Sequence, residues 1–490
     1  MQKEFYEKYF KGRRITKQGF GILGRGYGVV KFLIDAGADI VVTDMKPREY
    51  FTNQIDEIER YIRENKLNNK IQWIFGEHRM QDFEKENCDF VIQASGVPKN
   101  NIYLNNAKEF DIKVYQEGSL FCDIVRDFNN DKVESDKIKI IGITGTRGKT
   151  TTTFIIYEIL KNYFGIDSVY LGGNVQGVAT LELLKKVKQG DFVVMELDSW
   201  VLQGFADIKF SPNISVFTNF MPDHMNYYRN DMQDYFMDKA AIFLNQKSNS
   251  EWSDALFTTT EMKNVIEKYL GKDLFDNFYS EESKKVFVTS NDIEQDKNDL
   301  QSKLVGEHNR VYISLAKRVS EYLKIDEDSI KNSIENFSGV AGRLENIKTI
   351  DEVSFINDTT ATTGDAGMIA LETFKDKNII LITGGRDKEL DMNNYVNKII
   401  DFKNKNIIKK VILLSDDTTT GTKKLIDLFK EKSFVDYLEA VNLKEAVWAA
   451  RSAAHQGDIV LFSPAFASFG MFENEYDRGE KFNVVVHDLK

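Results

Sequence analysis

The sequence predicts an α/β protein of three domains, each a mostly parallel sheet with flanking helices. At 490 residues the chain is too long for one hydrophobic core, since domains run to about 100–200 residues. Short apolar runs alternate with amphipathic stretches along its length, as strands alternate with helices in parallel sheets. Two of the strand-like runs lead straight into glycine-rich segments, and open α/β sheets bind ligands at the C-terminal ends of their strands.

In the first third, Arg14 to Gln18 reads as an unusually polar strand. Ile40 to Thr43 and Phe90 to Gln93 read as apolar ones, the second ending on the turn Ser95-Gly96-Val97-Pro98. Asn129 to Lys137 is a polar linker. The second segment opens with Ile138 to Ile143 and continues through strands at 192–195 and 214–218. Residues 247–300 are polar and carry no motif, which suits an insertion or a lid. The third segment begins near Gly342-Arg343, with strands at 354–356, 379–383, 411–414 and 459–462. The expected domains are 1–136, 137–341 and 342–490.

Composition narrows the function class. With 42% hydrophobic and 29% charged residues, the chain can bury real cores. A net charge of −11 argues against general affinity for nucleic acid or anionic membrane. Small anionic substrates stay open, because helix N-termini hold phosphates on acidic proteins too. Cys88 and Cys122 lie far apart with no CxxC or Cys/His spacing, so neither a zinc site nor a disulfide framework is expected. Met1 to Arg14 lacks the apolar core of a signal peptide, and no run is long enough for a membrane span. A cytoplasmic monomer is the expectation.

Gly19-Phe20-Gly21-Ile22-Leu23-Gly24 is a GxGxxG pattern, and Asp44 follows Gly24 by 20 residues at the end of a strand. Such glycines let the backbone approach a pyrophosphate, and the acidic residue can accept from a ribose or base donor. A plain glycine-rich turn, or a dehydrogenase, fits the pattern as well. Thr144-Gly145-Thr146-Arg147-Gly148-Lys149-Thr150-Thr151 is more specific: it stands between a strand and the helix-like run from Phe154 to Leu160. Backbone N–H groups and a helix N-terminus there cradle phosphates, Lys149 reaches the β/γ oxygens and Thr150 meets Mg²⁺. The spacing departs from the Walker pattern, whose first glycine would fall on Ile143. Glu196 ends the apolar run 192–195, His224 follows the strand at 214–217, and Lys239 lies 15 residues beyond His224.

From here the chain resembles the Mur ligases. The motifs that carry the resemblance are Gly145–Thr151, Gly172-Gly173-Asn174, Glu196-Leu197-Asp198-Ser199, Asp223-His224-Met225, Tyr235 to Lys239, and Gly306-Glu307-His308-Asn309-Arg310. The resemblance implies Rossmann-like first and third domains around a P-loop ATPase-like second one. It implies ATP and two Mg²⁺ ions, with Lys149, Glu196, His224 and Lys239 catalytic. Lys239 would carry a CO₂-derived carbamate and hold one ion with His224, while Thr150 and Glu196 hold the other. ATP would lie against Gly145, Thr146, Arg147, Gly148, Lys149, Thr150, Thr151, Asn309, Arg343 and Asp358, the last two completing the site on domain closure. Gly21, Leu23, Gly24, Asp44, Ser95, Gly96, Asn174 and Ser199 would hold a UDP-linked substrate, which gives the glycine cluster its ligand.

The last third resembles the branch of that family that adds D-glutamate to UDP-N-acetylmuramoyl-L-alanine. It carries Asn357-Asp358-Thr359-Thr360-Ala361-Thr362, Gly384-Gly385-Arg386-Asp387-Lys388 and Ser463 to Phe469, followed by Phe472, Asn474 and Arg478-Gly479. No Asp-Asn-Pro-Arg motif of the diaminopimelate- or lysine-adding branch is present. By resemblance, Thr362, Lys388, Ser468 and the Phe469 backbone take the incoming glutamate. Thr360 stands where the family often has lysine, and the loop after Gly24 is two residues longer. Two rivals follow: a folylpolyglutamate synthase, which lacks a UDP-binding first domain, and an idle Mur-like subunit, which would not need Lys149, Glu196, His224 and Lys239 together.

Overall fold

The computed structural model describes residues 1–21, 25–98, 100–175, 178–247, 252–272, 275 and 284–489. Leu23 and Gly24, expected at the UDP-linked substrate, lie outside the described residues. The chain forms two compact units, Met1–Gln301 with Arg310–Glu335, and Ser302–Asn309 with Asn336–Lys490. Three mostly parallel sheets with flanking helices build the three-domain α/β fold, two sheets in the first unit and one in the second.

The first sheet holds β1 (Arg14–Gln18), β2 (Asp39–Asp44), β3 (Ile71–Phe75), β4 (Phe90–Gln93) and β5 (Lys113–Gln116), all parallel, in the order β3-β2-β1-β4-β5. The polar β1 is central: Thr16 donates to Asp82 O, and Lys17 Nζ donates to Gly19 O at 2.6 Å, while the buried Gln18 Oε1 finds no partner among the described residues. Strand order reverses at β1 and β4, where successive crossovers leave to opposite sides and open a crevice. Gly19–Gly21 and Ser95-Gly96 follow those two strands.

The second sheet holds β6 (Lys139–Thr144), β7 (Val169–Gly173), β8 (Phe192–Glu196), β9 (Ile214–Phe217), β10 (Ala255–Thr259) and β11 (Lys284–Val288), in the order β11-β10-β9-β6-β8-β7. Every pairing is parallel. The stretch 247–300, read from sequence as an insertion or lid, extends this sheet through β10 and β11. Every residue of β10 is buried, but five apolar-to-neutral residues in a stretch with polar flanks leave little pattern to read. Gly142 is a packing glycine: a Cβ there would lie 2.5 Å from the Pro212 ring.

The third sheet pairs β12 (Glu345–Ile350) antiparallel with β13 (Val353–Asn357). It continues in parallel with β14 (Ile379–Thr383), β15 (Ile408–Leu414), β16 (Leu438–Ala440) and β17 (Ile459–Phe462), in the order β12-β13-β17-β14-β15-β16. Apolar clusters cover both faces, one around Leu381, Leu413 and Leu461, the other around Ile380, Ile412 and Val460. The loops after β13, β14 and β17 therefore leave from adjacent positions on one edge.

Candidate active site

The loop after β6 is held from behind. Asn219 O accepts from Thr146 N–H at 3.0 Å, Asn219 Oδ1 accepts from Arg147 N–H at 2.8 Å, and Thr218 Oγ1 donates to Arg147 O at 2.6 Å. Gly148 caps the helix Lys149–Phe164 at φ +78, and a Cβ there would fall 2.1 Å from Cζ of Tyr312. Only glycine meets both demands. Lys149 Nζ donates to the carbonyls of Gly145 and Thr146, each at 3.1 Å. Thr150 and Thr151 occupy the first turn of that helix. Thr218, Asn219 and Tyr312 were missed in the sequence. The first two could have been found from their place directly after β9, beside the loop strand.

Lys239, on the helix Met232–Ala240, is 1% exposed and donates from Nζ to Gly145 O at 2.9 Å. Burial and the nearby Lys149 push its pKa well down, against the pull of Asp198, Asp223 and Asp238. A neutral amine is the form that attacks CO₂. His224 sits at φ +55 with its ring 4.6 Å from that of Trp200, and burial lowers its pKa. Glu196 ends β8, pairs in register with Ile143, and is 5% exposed. Among the described residues, no three His, Cys, Asp or Glu side chains gather as a metal cage. Magnesium fits on other terms, because it keeps waters and phosphate oxygens and needs only one or two protein oxygens. Thr150 and Glu196 have that donor chemistry, and Lys239 acquires it only as a carbamate.

In the crevice of the first sheet, Asp44 Oδ2 accepts from the N–H groups of Phe20 at 2.8 Å and Gly21 at 3.2 Å. The carboxylate expected to face a ribose is thus also the anchor of the glycine loop. Ser95 and Gly96 lie in the turn after β4. Asn174, just after β7, donates its N–H to Glu196 O at 2.7 Å, and Ser199 opens the helix Ser199–Asp207 after β8.

In the second unit, Asp358 follows β13 and accepts from Ser463 Oγ at 2.8 Å and Leu344 N–H at 3.3 Å. Burial lifts its pKa to about 7, opposed by those hydrogen bonds and by Arg343 and Arg478. Arg478 is fully buried and braces the loops after β13 and β17, donating to Thr359 O at 2.7 Å and Phe466 O at 3.0 Å. Neither Ser463 nor Arg478 was placed in the site from sequence, although both stand in the quoted motifs. Thr360 Oγ1 donates to Gly342 O at 2.9 Å, so the residue replacing lysine fastens the Gly342-Arg343 turn. Asn309 Nδ2 donates to Val305 O at 2.7 Å. The structure brings together Lys388 and Thr362, Nζ to Oγ1 at 2.8 Å. Arg386 and Ala467 exchange backbone hydrogen bonds at 2.9 and 3.1 Å, which joins the Lys388 loop to the loop carrying Ser468 and the exposed Phe469. Ser468 Oγ is buried with no hydrogen-bond partner among the described residues.

A glycine loop between the central strand of a parallel sheet and a helix, with a lysine at its end, defines a phosphate-loop nucleotide-binding protein. This chain belongs to the Mur ligase family. Residues 143–317 match the Mur ligase middle domain, and residues 342–466 match the Mur ligase glutamate ligase domain. The chain is 33% identical over 488 residues to the UDP-N-acetylmuramoylalanine–D-glutamate ligase of Borreliella burgdorferi strain B31, covering 96% of this chain and 97% of that one. It is 30% identical to the ligase of the same name from Roseiflexus sp., covering 98% and 99%. Solved relatives share the fold. The UDP-N-acetylmuramate-alanine ligase MurC of Thermotoga maritima superposes with a TM-score of 0.56 at 18% identity, covering 98% of this chain and all of that one. The MurF ligase of the same organism gives 0.54 at 15%, covering 92% and 95%. No helix among the described residues is long and apolar enough to cross a membrane.

Proposed function

We propose that the chain is an ATP-dependent acid–amino-acid ligase joining D-glutamate to UDP-N-acetylmuramoyl-L-alanine, a cytoplasmic step of peptidoglycan precursor synthesis. The observation that carries the reading is the convergence of Lys149 and Lys239 on one carbonyl, Gly145 O, in the phosphate loop. The L-alanine carboxylate attacks the γ-phosphorus of ATP, the bond to the bridging oxygen breaks, and ADP leaves. The D-glutamate amine attacks the acyl phosphate carbon, phosphate departs, and the nitrogen gives up its proton. The loop N–H groups of residues 145–151 and the Lys149 ammonium face the transferring phosphoryl group, where fixed donors neutralise developing charge.

Thr150 and Glu196 would hold one magnesium ion, and His224 with carbamylated Lys239 a second. Bound there, magnesium supplies positive charge to the phosphate oxygens. Lys239 Nζ forms its N–C bond to CO₂ as the neutral amine and releases a proton. Gly21, Asp44, Ser95, Gly96, Asn174 and Ser199 are assigned to the UDP-linked substrate. In the second unit, Asn309, Arg343 and Asp358 are assigned to the nucleotide, and Thr362, Lys388, Ser468 and Phe469 to glutamate. Residues 1–136, 137–341 and 342–490 are assigned chiefly to the UDP-linked substrate, ATP and glutamate. The test is ADP release with UDP-N-acetylmuramoyl-L-alanine and either enantiomer of glutamate: D-glutamate is turned over, and equal turnover of folate with glutamate overturns the reading.

A further inference from the structure

We infer that Arg25 is a positioning residue for the UDP-linked substrate, turning the Asn174 side-chain amide so that its N–H₂ end faces the ligand. The inference rests on the reading of Asn174 as a substrate contact. Arg25 opens the helix Arg25–Asp35 that follows the glycine loop of the first sheet. Its Nη2 donates to Asn174 Oδ1 at 2.9 Å and to Val175 O at 3.4 Å. A guanidinium has five donors and no acceptor. Beside it, the Asn174 amide has one workable orientation, oxygen toward Arg25 and nitrogen away. The Asn174 backbone is fixed separately, its N–H on Glu196 O at 2.7 Å. The group left to the substrate is then a donor pair, which suits an acceptor such as a phosphate, carbonyl or carboxylate oxygen.

Arg25 is itself held. Glu117 lies close enough that Arg25 is the largest charge opposing the burial that lifts the Glu117 carboxyl to about 7. Glu117 Oε1 accepts from Leu181 N–H at 3.1 Å, in the short helix Thr180–Lys185 beyond the Asn174 turn. A Cβ on Gly28 would lie 2.6 Å from Cβ of Ala179, so the Arg25 helix and this segment meet at backbone distance. Meanwhile Arg25 Nε is buried and finds no partner among the described residues. A guanidinium placed only to seal a contact would not leave a donor unpaired inside the protein, where that is costly. The paired end of Arg25 is the Nη2 that meets Asn174 and Val175.

The test varies donor character at residue 25 in the full-length enzyme, with UDP-N-acetylmuramoyl-L-alanine varied at saturating ATP and D-glutamate. Wild-type turnover is measured first, and its absence would count against the ligase reading rather than against Arg25. Arg25→Lys keeps a donor-only group and should stay within about threefold of wild type in KM for the UDP-linked substrate. Arg25→Gln and Arg25→Met free the amide to flip and should raise that KM by about tenfold or more, a single hydrogen bond's share. KM for ATP and D-glutamate should hold within about twofold. In an Asn174→Ala background, Arg25→Met should add almost nothing, because residues acting as one unit are non-additive. The lysine and glutamine variants keep a polar chain at the site, so the comparison survives even if the methionine variant folds poorly. The inference is overturned if lysine is as damaging as methionine, if the Arg25→Met effect persists undiminished without Asn174, or if all three KM values rise together.

Discussion

Replacing Ser468 by alanine should make the protein more stable and the enzyme worse. Ser468 is 4% exposed, and its Oγ finds no partner among the described residues. An unpaired buried hydroxyl costs about 1–3 kcal/mol, and alanine removes it while leaving a void of only one oxygen. Taking the low end, about 1 kcal/mol corresponds to a rise of roughly 2–4 °C in the midpoint of the second unit. If that hydroxyl is kept for glutamate, the same change removes a hydrogen bond to a charged ligand, worth about 1.5–3 kcal/mol, so KM for D-glutamate rises about tenfold to a hundredfold. Differential scanning calorimetry gives the first sign and steady-state kinetics the second. A midpoint that falls while the KM for D-glutamate stays put would refute the reasoning, because Ser468 would then be an ordinary structural serine.

Other outcomes follow from the same geometry. Lys388→Met should raise KM for D-glutamate by about tenfold, the lower end of the range because Lys388 is exposed, and blunt selection against glutamine. Wild-type behaviour there, with loss in Arg386→Met, would reassign the cation. Lys239→Ala should lose most turnover, which bicarbonate does not restore and short-chain carboxylates restore in part; unchanged kcat would exclude the carbamate. Gly148→Ala places a methyl 2.1 Å from the Tyr312 ring at φ +78, so KM for ATP should rise sharply, with partial relief in Gly148→Ala/Tyr312→Ala. Glu117 titrates at about 7 in the fold against 4.5 unfolded, so the folded state binds the extra proton between those values. Its contribution to stability is present below pH 4.5 and is lost as pH rises through about 7. Glu117→Gln should therefore lose less stability over that interval in denaturant titrations.

Strands buried on both faces were legible in the sequence. Phe90–Gln93, Ile379–Thr383 and Ile459–Phe462 are strands with the expected ends, because continuous apolar runs bounded by polar residues have few other uses. The strand Arg14–Gln18 was legible despite its polarity, through the glycines that follow it. Edge and near-edge strands were not: β3, β5 and β16 are partly exposed, and β10, next to the edge strand β11, ends on two threonines inside a polar stretch. Of the candidate site, the phosphate-loop stretch was readable, since a strand, a glycine loop, a lysine and a helix stand in order. Their supports were not. Tyr312 comes from a distant stretch and acts by shape, which leaves no local spacing to detect, while Asn219, Ser463 and Arg478 stand in motif stretches but bond to partners far along the chain. Arg25 was hidden for the same reason, its partner Asn174 lying on another sheet.

The most direct test of the central claim is a product-resolved assay of purified enzyme with ATP, magnesium, UDP-N-acetylmuramoyl-L-alanine and D-glutamate. Mass spectrometry of the UDP-linked pool should show the precursor gaining one glutamyl residue, with one ADP and one phosphate released per amide formed and no turnover when any substrate is omitted. ATP hydrolysis with no change in the UDP-linked pool, or the same glutamyl addition without ATP, would contradict it.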